Sequence, residues 1–175
     1  LIALEYSMKK RVPALFIALA FSSSIFATAG SAEAPTLLST QELEQSLRTK
    51  CESARRSNKP LLIEFTAPWC GDCVQLGKMK KEKALADELK HWEVQLIDVG
   101  RFDRHQELLT AYKIDAIAQW TLISPQAKSP KSTENNQCSK PATQWTRMTQ
   151  RTLEPLSAKE TITPAVLAKW LATWR

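Results

Sequence analysis

The sequence predicts an α/β fold in which helices cover both faces of a mixed β-sheet. Short apolar runs at residues 60–67 and 93–99 have the length and composition of buried strands, and segments with helical spacing of apolar residues alternate with them. The 175 residues, 43% of them apolar and 24% charged, leave room for one domain and an extension. The predicted order of elements is αβαβαββα.

Local signals place the individual elements. Ser39 to Glu42 form a capping box that starts the first helix, and Thr163 followed by Pro164 starts the last one. Helices are predicted at residues 40–57, 71–90, 103–112 and from 163 onward. Strands are predicted at residues 60–67, 93–99 and 119–124 and within 144–151. Residues 125–144 are polar and rich in proline and asparagine, which predicts a long loop inserted between the last two strands.

Residues 1–29 have the pattern of an N-terminal extension with a signal peptide. A basic group at residues 9–11 precedes an apolar run at residues 12–21, and small residues follow through Ala32. A retained membrane anchor is the alternative, but the apolar run is shorter than the roughly 20 residues that a spanning helix needs. We therefore expect cleavage on export, a mature domain over residues 36–175, a periplasmic or secreted location, and membrane contact only during export.

The formal net charge of +6 is spread along the chain. Nucleic-acid binding needs a basic stripe with interleaved aromatic residues, and the sequence has none, so no nucleic-acid partner is expected. The densest basic run, at residues 78–83, is interpreted as the solvated face of a helix.

The tetrapeptide Cys70-Gly71-Asp72-Cys73 lies between the first predicted strand and the second helix. Two thiols at this spacing can close and reopen a disulfide, and the free N–H groups at a helix start stabilise a thiolate at Cys70. Cys70 is thus the predicted nucleophile, and Cys73 would resolve the mixed disulfide. The alternative is half of a zinc site, but zinc needs four ligands and the chain has no second close cysteine pair. Neither a metal nor an organic cofactor is expected.

The residues around this tetrapeptide resemble the thioredoxin superfamily. The match is Phe65-x-Ala67-x-Trp69-Cys70-Gly71-x-Cys73. The run Asp-Val-Gly-Arg-Phe-Asp at residues 98–103 is similar to exported bacterial thioredoxin-like proteins with a Trp-Cys-x-Asp-Cys site. The resemblance implies a thioredoxin-like fold and thiol–disulfide exchange with protein substrates.

The same resemblance assigns roles to two neighbours of the cysteines. Glu64 takes the place of a buried acid that helps to deprotonate the resolving Cys73. The alternative for Glu64 is a carboxylate that reaches solvent at the strand end. Trp69 would pack beside the disulfide, and simple cover of the core is its other interpretation.

Asp72 stands where the commonest thioredoxin tetrapeptide has proline. Its negative charge disfavours nearby thiolates by like-charge repulsion, and a less stabilised thiolate favours the disulfide. The sequence therefore predicts a reducing pair, suited to a reductant or isomerase-supporting role more than to a strong oxidant. A reductant in an oxidising compartment must be resupplied, so a membrane electron donor or acceptor protein is an expected partner.

The main departure from the family is at Ala118, where the aligned segment has a cis-proline facing the disulfide. Ile117 and Ala118 would form the loop that binds the substrate backbone in the family. Because the trans form is strongly preferred before residues other than proline, this bond is expected to be trans. The departure favours, as an alternative function, a non-catalytic binding protein or a carrier of a soft metal such as Cu(I) or zinc that uses the same cysteines.

Cys51 and Cys138 are the remaining cysteines. Cys51 shares a helical face with Leu43 and Leu47, which predicts a buried thiol, whereas Cys138 falls in the polar loop and is expected to be exposed. An even number of cysteines in an exported chain also permits a structural disulfide between the two. Both interpretations stay open on the sequence alone.

Overall fold

A computed structural model describes residues 37–125, 136–154, 156 and 162–175. Their centre is a mixed four-stranded sheet with the order β2-β1-β3-β4. The strands are β1 (Leu61–Thr66), β2 (Glu93–Asp98), β3 (Gln119–Ile123) and β4 (Arg147–Thr152). β1 is parallel to β2 and antiparallel to β3, and β3 is antiparallel to β4. The most apolar segments, β1 and β3, are central and fully buried, as a sheet covered on both faces requires.

Five α-helices of the described residues lie around this sheet. They are α1 (Thr40–Ser57), α2 (Gly71–Met79), α3 (Lys83–Leu89), α4 (Gln106–Tyr112) and α5 (Pro164–Ala172). The predicted helix starts are confirmed: Ser39 and Glu42 form a reciprocal capping box, and the Thr163 hydroxyl accepts the N–H of Val166. None of the helices in the described part of the chain is long and apolar enough to cross a membrane.

Neighbouring residues of β1 show how the two faces are covered. Side chains alternate along a strand, so Glu64 and Phe65 point to opposite faces. Glu64 meets Lys80 at the end of α2, whereas Phe65 packs against Tyr112 of α4 with ring centroids 5.9 Å apart. α1 lies on the Phe65 face, where Ser46 donates to Gln95 of β2. The predicted mixed sheet with helices on both faces is therefore confirmed.

The single helix predicted at residues 71–90 is wrong, because the chain breaks between α2 and α3. Lys80 ends α2, and Glu82 takes an extended conformation (φ −67°, ψ 135°) before α3 begins. The break is stabilised by a tertiary contact: the Lys80 ammonium lies 2.8 Å from both carboxylate oxygens of Glu64 on the central strand. The local sequence favours a continuous helix, and this buried ion pair overrides it.

Residues 136–146, which we call the strap, lie against α1. Cys138 and Cys51 form a disulfide with Cα atoms 5.5 Å apart, and both residues are completely buried. The expectation that Cys138 is exposed is therefore wrong, because the disulfide holds the polar strap against α1. Two short 3₁₀ turns, Gln137–Ser139 and Ala142–Gln144, replace part of the predicted loop. The rest of that loop, residues 126–135, and the predicted signal peptide lie outside the described residues.

Side chains of α1 hold the strap in addition to the disulfide. The amide of Asn136 donates to the Glu52 carboxylate at 2.9 Å, and the backbone N–H of Ala142 donates to Glu44 at 3.1 Å. The Asn136 amide holds the pKa of Glu52 below its usual range. Tyr112 adds a hydrogen bond from its hydroxyl to the Ala142 carbonyl at 2.9 Å. The strap is thus a packed part of the domain.

The peptide bond between Ile117 and Ala118 is cis, so the predicted trans bond is wrong. The preference for trans holds for a peptide bond without tertiary constraints, whereas here both residues are buried, at 3% and 0% exposure. The Ala118 carbonyl also accepts the N–H of Leu153 at 2.8 Å. Packing and this hydrogen bond fix the path of the chain before β3.

Candidate functional site

Cys70 and Cys73 form a disulfide at the start of α2. β1 ends at Thr66, a tight turn follows in which Cys70 N–H donates to the Ala67 carbonyl at 3.1 Å, and Cys70 becomes the N-cap of the helix. Its Sγ accepts the backbone N–H of Cys73 at 3.0 Å, and the two Cα atoms are 5.2 Å apart. An N–H group directed at Cys70 Sγ stabilises negative charge there once the disulfide opens. The geometry suits Cys70 as the nucleophile.

Trp69 lies on the surface beside the disulfide rather than in the core. Its side chain is 51% exposed, so the interpretation of Trp69 as core cover is wrong. The indole N–H donates to the Gly100 carbonyl at 2.6 Å, and the ring lies 6.3 Å from the Phe102 ring. The indole is therefore held in one position while keeping an exposed apolar surface next to Cys70.

The loop after β2, residues 98–104, provides the anchor for Trp69. Asp98 accepts the Gly100 N–H at 2.8 Å and the Arg104 guanidinium at 2.9 Å, and Asp103 accepts the Arg101 N–H at 2.8 Å. Gly100 has φ +60°, and a Cβ on it would clash with the Asp103 carboxylate. The sequence run at 98–103 is thus a defined turn that presents a carbonyl to the indole.

Glu64 is almost completely buried, with 2% exposure, on the central strand that leads to Cys70. The interpretation of Glu64 as a solvent-reaching carboxylate is therefore wrong. Both of its oxygens accept from Lys80, and Oε2 also accepts the Trp120 indole N–H at 3.0 Å. The sequence analysis missed Lys80 and Trp120. The one available signal was spacing, since Lys80 lies seven residues after Cys73 and so falls on the same helix face.

Ile117 and Ala118 lie at the same end of the sheet as the cysteines. Gln119 pairs with Phe65 near the carboxyl end of β1, so the preceding two residues approach the turn that carries Cys70. Both are buried, which leaves their role in substrate binding as a prediction. Sequence reasoning also missed Val74, which is 51% exposed and directly follows Cys73.

Cys51 and Cys138 do not join the site, because they are bonded to each other. Within the described residues, no group of three or more His, Cys, Asp or Glu side chains could hold a metal ion. Gly71 and Asp72 complete the turn between the two active cysteines, Gly71 being exposed and Asp72 half-buried. The site can therefore form and open a disulfide beside a fixed indole and above a buried, ion-paired carboxylate.

Two curated proteins match parts of this chain. Thioredoxin from Mycoplasmoides gallisepticum is 34% identical over 76 residues, which are 43% of this chain and 63% of that protein. Protein disulfide-isomerase erp38 from Neurospora crassa is 46% identical over 44 residues, 25% of this chain and 12% of that protein. The matches span less than two thirds of the length of either relative.

Solved structures share the fold. A disulphide isomerase from Xylella fastidiosa Temecula1 superposes with a TM-score of 0.54 and 24% identity, over 74% of this chain and 88% of that chain. A thioredoxin from Thermus thermophilus superposes with a TM-score of 0.50 and 14% identity, over 71% of this chain and 80% of that chain. The thioredoxin family model matches residues 38–145, which is more than half of the chain and includes the Cys70–Cys73 pair. By this match, carried on the strand, turn and helix described above, the chain belongs to the thioredoxin family.

Proposed function

We propose that this protein is a thiol–disulfide oxidoreductase that acts on protein substrates in the bacterial periplasm, as a reductant or a support for disulfide isomerisation. The observation that carries the proposal is the Cys70–Cys73 disulfide at the first turn of α2, with the Cys73 N–H directed at Cys70 Sγ. Family membership and the matched thioredoxin and disulfide isomerase support the same chemistry.

The reaction begins with the reduced pair. The Cys70 thiolate attacks one sulfur of a client disulfide, and the other client sulfur leaves as a thiolate, which takes up a proton. Cys73 then loses its proton and attacks Cys70 Sγ, which releases the client cysteine and closes the Cys70–Cys73 disulfide. Two electrons pass from the protein to the client, so a donor must return them. A membrane protein that supplies electrons is the proposed partner.

Glu64 is the proposed acceptor of the Cys73 proton. Its burial and its hydrogen bonds from Lys80 and Trp120 fix the carboxylate inside the domain, on the strand that leads to Cys70. Glu64→Gln should slow the second step, resolution of the mixed disulfide, and leave the first attack by Cys70 unchanged. Glu88 offers a matched control, because it is also a buried acid (7% exposed) bonded to a Trp indole and a cation, but it lies on α3. An equal rate for wild type and Glu64→Gln across pH 6–9 would remove this role.

A reducing potential is supported by Asp72, whose charge disfavours thiolates in the turn between the cysteines. A periplasmic location is supported by the signal-like pattern of residues 9–32 and by the second, buried disulfide, which is typical of oxidising compartments.

The first experiment is a redox titration of the Cys70–Cys73 pair in dithiothreitol or glutathione buffers, with free thiols alkylated and counted by mass spectrometry. A potential near roughly −270 mV is expected for a reductant, whereas a value near roughly −120 mV would indicate an oxidant and contradict the Asp72 argument. A Cys73→Ser variant should accumulate a mixed disulfide with client protein, and Cys70→Ser should not. The absence of any reversible couple would refute the proposed function.

A further inference from the structure

A groove of about 560 Å³ opens beside the Cys70–Cys73 turn. One wall is a face of α2 that runs from Gly71 to Met79, and the other comes from Leu156 and Ile162, which lie between β4 and α5. The lining residues are Gly71, Asp72, Gln75, Met79, Leu156 and Ile162. Met79 and Leu156 are each 7% exposed, and Ile162 packs against the core, so these three give an apolar floor. Asp72 and Gln75 give a polar rim next to the active cysteines.

Asp72 has no cationic side-chain partner within the described part of the chain. Other acids near the active cysteines are paired: Glu64 with Lys80, and Asp98 with Arg104. Asp72 forms no hydrogen bond or ion pair with any described residue, although it is half-buried against the groove. A carboxylate with no partner among the described residues, above an apolar floor, complements one kind of group, a cation on an apolar stem. Lysine and arginine side chains have that form, since their methylene stems cover apolar surface while the charged head stays at the edge.

We propose that this groove binds the segment flanking the client disulfide and selects segments that carry a lysine or arginine next to an apolar residue. The inference rests on the proposed function, because it concerns the substrates of that same site. The apolar neighbour and the lysine stem would lie over Met79, Leu156 and Ile162. The cationic head would reach Asp72, two residues after the cysteine that attacks.

Gln75 allows a test that leaves the cysteines and Asp72 intact. It is exposed and lies one turn after Asp72 on the groove wall. The substrates are three peptides that contain the same disulfide and a leucine and differ only in one flanking residue, Lys, Gln or Glu. Hydroxyethyl disulfide, which is small and neutral, reports the intrinsic thiol chemistry. Lys78→Gln is the control, because Lys78 lies on the same helix but does not line the groove.

The wild type should react faster with the Lys peptide than with the Glu peptide, by about threefold to fivefold, the size of one exposed ion pair. Gln75→Lys should abolish or reverse that ratio, and Gln75→Glu should increase it. Each peptide rate is divided by the same protein's rate with hydroxyethyl disulfide, which removes any effect of the new charge on the Cys70 thiolate, and Lys78→Gln should keep the wild-type ratio. The preference should shrink in about 1 M salt, where charges are screened within about 3 Å. Asp72→Asn should also abolish the ratio, whatever it does to the absolute rates.

Two results would overturn the inference. Equal rates with the Lys and Glu peptides in the wild type, or a preference that survives in Gln75→Lys, would show that the groove does not select for charge, while exchange with hydroxyethyl disulfide would leave the proposed function standing. Failure to react with all four disulfides would overturn the proposed function, and the groove's role as a client site with it.

Discussion

Removal of the Cys51–Cys138 disulfide, by changing both cysteines to alanine, should strongly destabilise the domain. This disulfide links residues 87 positions apart, whereas the Cys70–Cys73 disulfide spans 3. In the chain-entropy description, a cross-link stabilises the native state by restricting the unfolded chain, and the effect grows with the logarithm of the loop length. The long loop then corresponds to about 4.6 kcal/mol and the short one to about 1.6 kcal/mol.

The chain therefore supplies its own control. Two double variants can be compared, Cys51→Ala/Cys138→Ala and Cys70→Ala/Cys73→Ala. Each loses two sulfur atoms and one disulfide, so the part of the entropy change that does not depend on loop length mostly cancels between them. The first variant should be less stable than the second by about 3 kcal/mol. With a urea m-value of about 2 kcal/mol/M, this difference corresponds to a midpoint about 1.5 M lower.

The assay is urea unfolding followed by far-ultraviolet circular dichroism, without reductant, on the wild type and both double variants. The m-value must be fitted for each protein, because loss of a cross-link exposes more surface in the unfolded state and should raise it. Equal losses of stability in the two variants would refute the loop-length argument. They would mean that the strap is held by its hydrogen bonds to Glu44 and Glu52 and gains nothing from the covalent link.

Three further predictions concern the groups around the site. Lys80→Met leaves the buried Glu64 charge without its cation and should lower the free energy of unfolding by about 3–5 kcal/mol, measured by urea unfolding at pH 7. Lys80→Arg keeps a cation at this position and should retain most of the wild-type stability. A loss under about 1 kcal/mol in Lys80→Met would contradict a stabilising ion pair. Gly100→Ala places a side chain at φ +60° against a neighbouring carboxylate and should cost about 1–3 kcal/mol, measured as a lower melting temperature; an unchanged melting temperature would exclude that clash. Burial, aided by the Arg104 guanidinium, lowers the pKa of His105 below 6.5 in the folded protein. As the pH drops through about 6.5, the unfolded chain therefore takes up a proton at His105 before the folded protein does, and the free energy of unfolding should fall. His105→Asn, which tolerates the positive φ of 54°, should flatten the dependence of the urea midpoint on pH between 7.5 and 5.5, and an unaltered slope would assign it to other groups.

The sequence was sufficient for features with local causes. A capping box and a proline at the first helical position start α1 and α5, and their signals lie within four residues of each start. The apolar runs at β1 and β3 are long enough for buried strands and too short for buried helices. The Cys70–Cys73 pair could be recognised because strand, turn and helix follow each other directly along the chain.

Features that depend on contacts between distant residues could not be predicted. The break after α2 depends on Lys80 reaching Glu64, 16 residues earlier, and the run around it favours helix. Trp69 is held by a carbonyl 31 residues later, so neighbouring residues carry no sign of its exposed position. The cis bond before Ala118 and the burial of Cys138 likewise follow from packing against segments far along the chain. Each of these corrections is a tertiary contact that overrides a local preference.

The different burial of the two disulfides determines how many electrons per molecule a reductant delivers to the folded protein. Cys51 and Cys138 have no exposed surface, whereas Cys70 and Cys73 retain 5% and 6%. A reductant therefore reaches one couple in the folded protein, and an alkylating reagent can then block the two thiols that it frees, so a native titration should consume two electrons per molecule rather than four. Denaturation in the presence of the reductant would expose and reduce the other pair, and the four thiols could reoxidise in three pairings once the reductant is removed, of which one is native. Electron counts taken before and after unfolding would thus separate the working couple from the covalent framework of the domain.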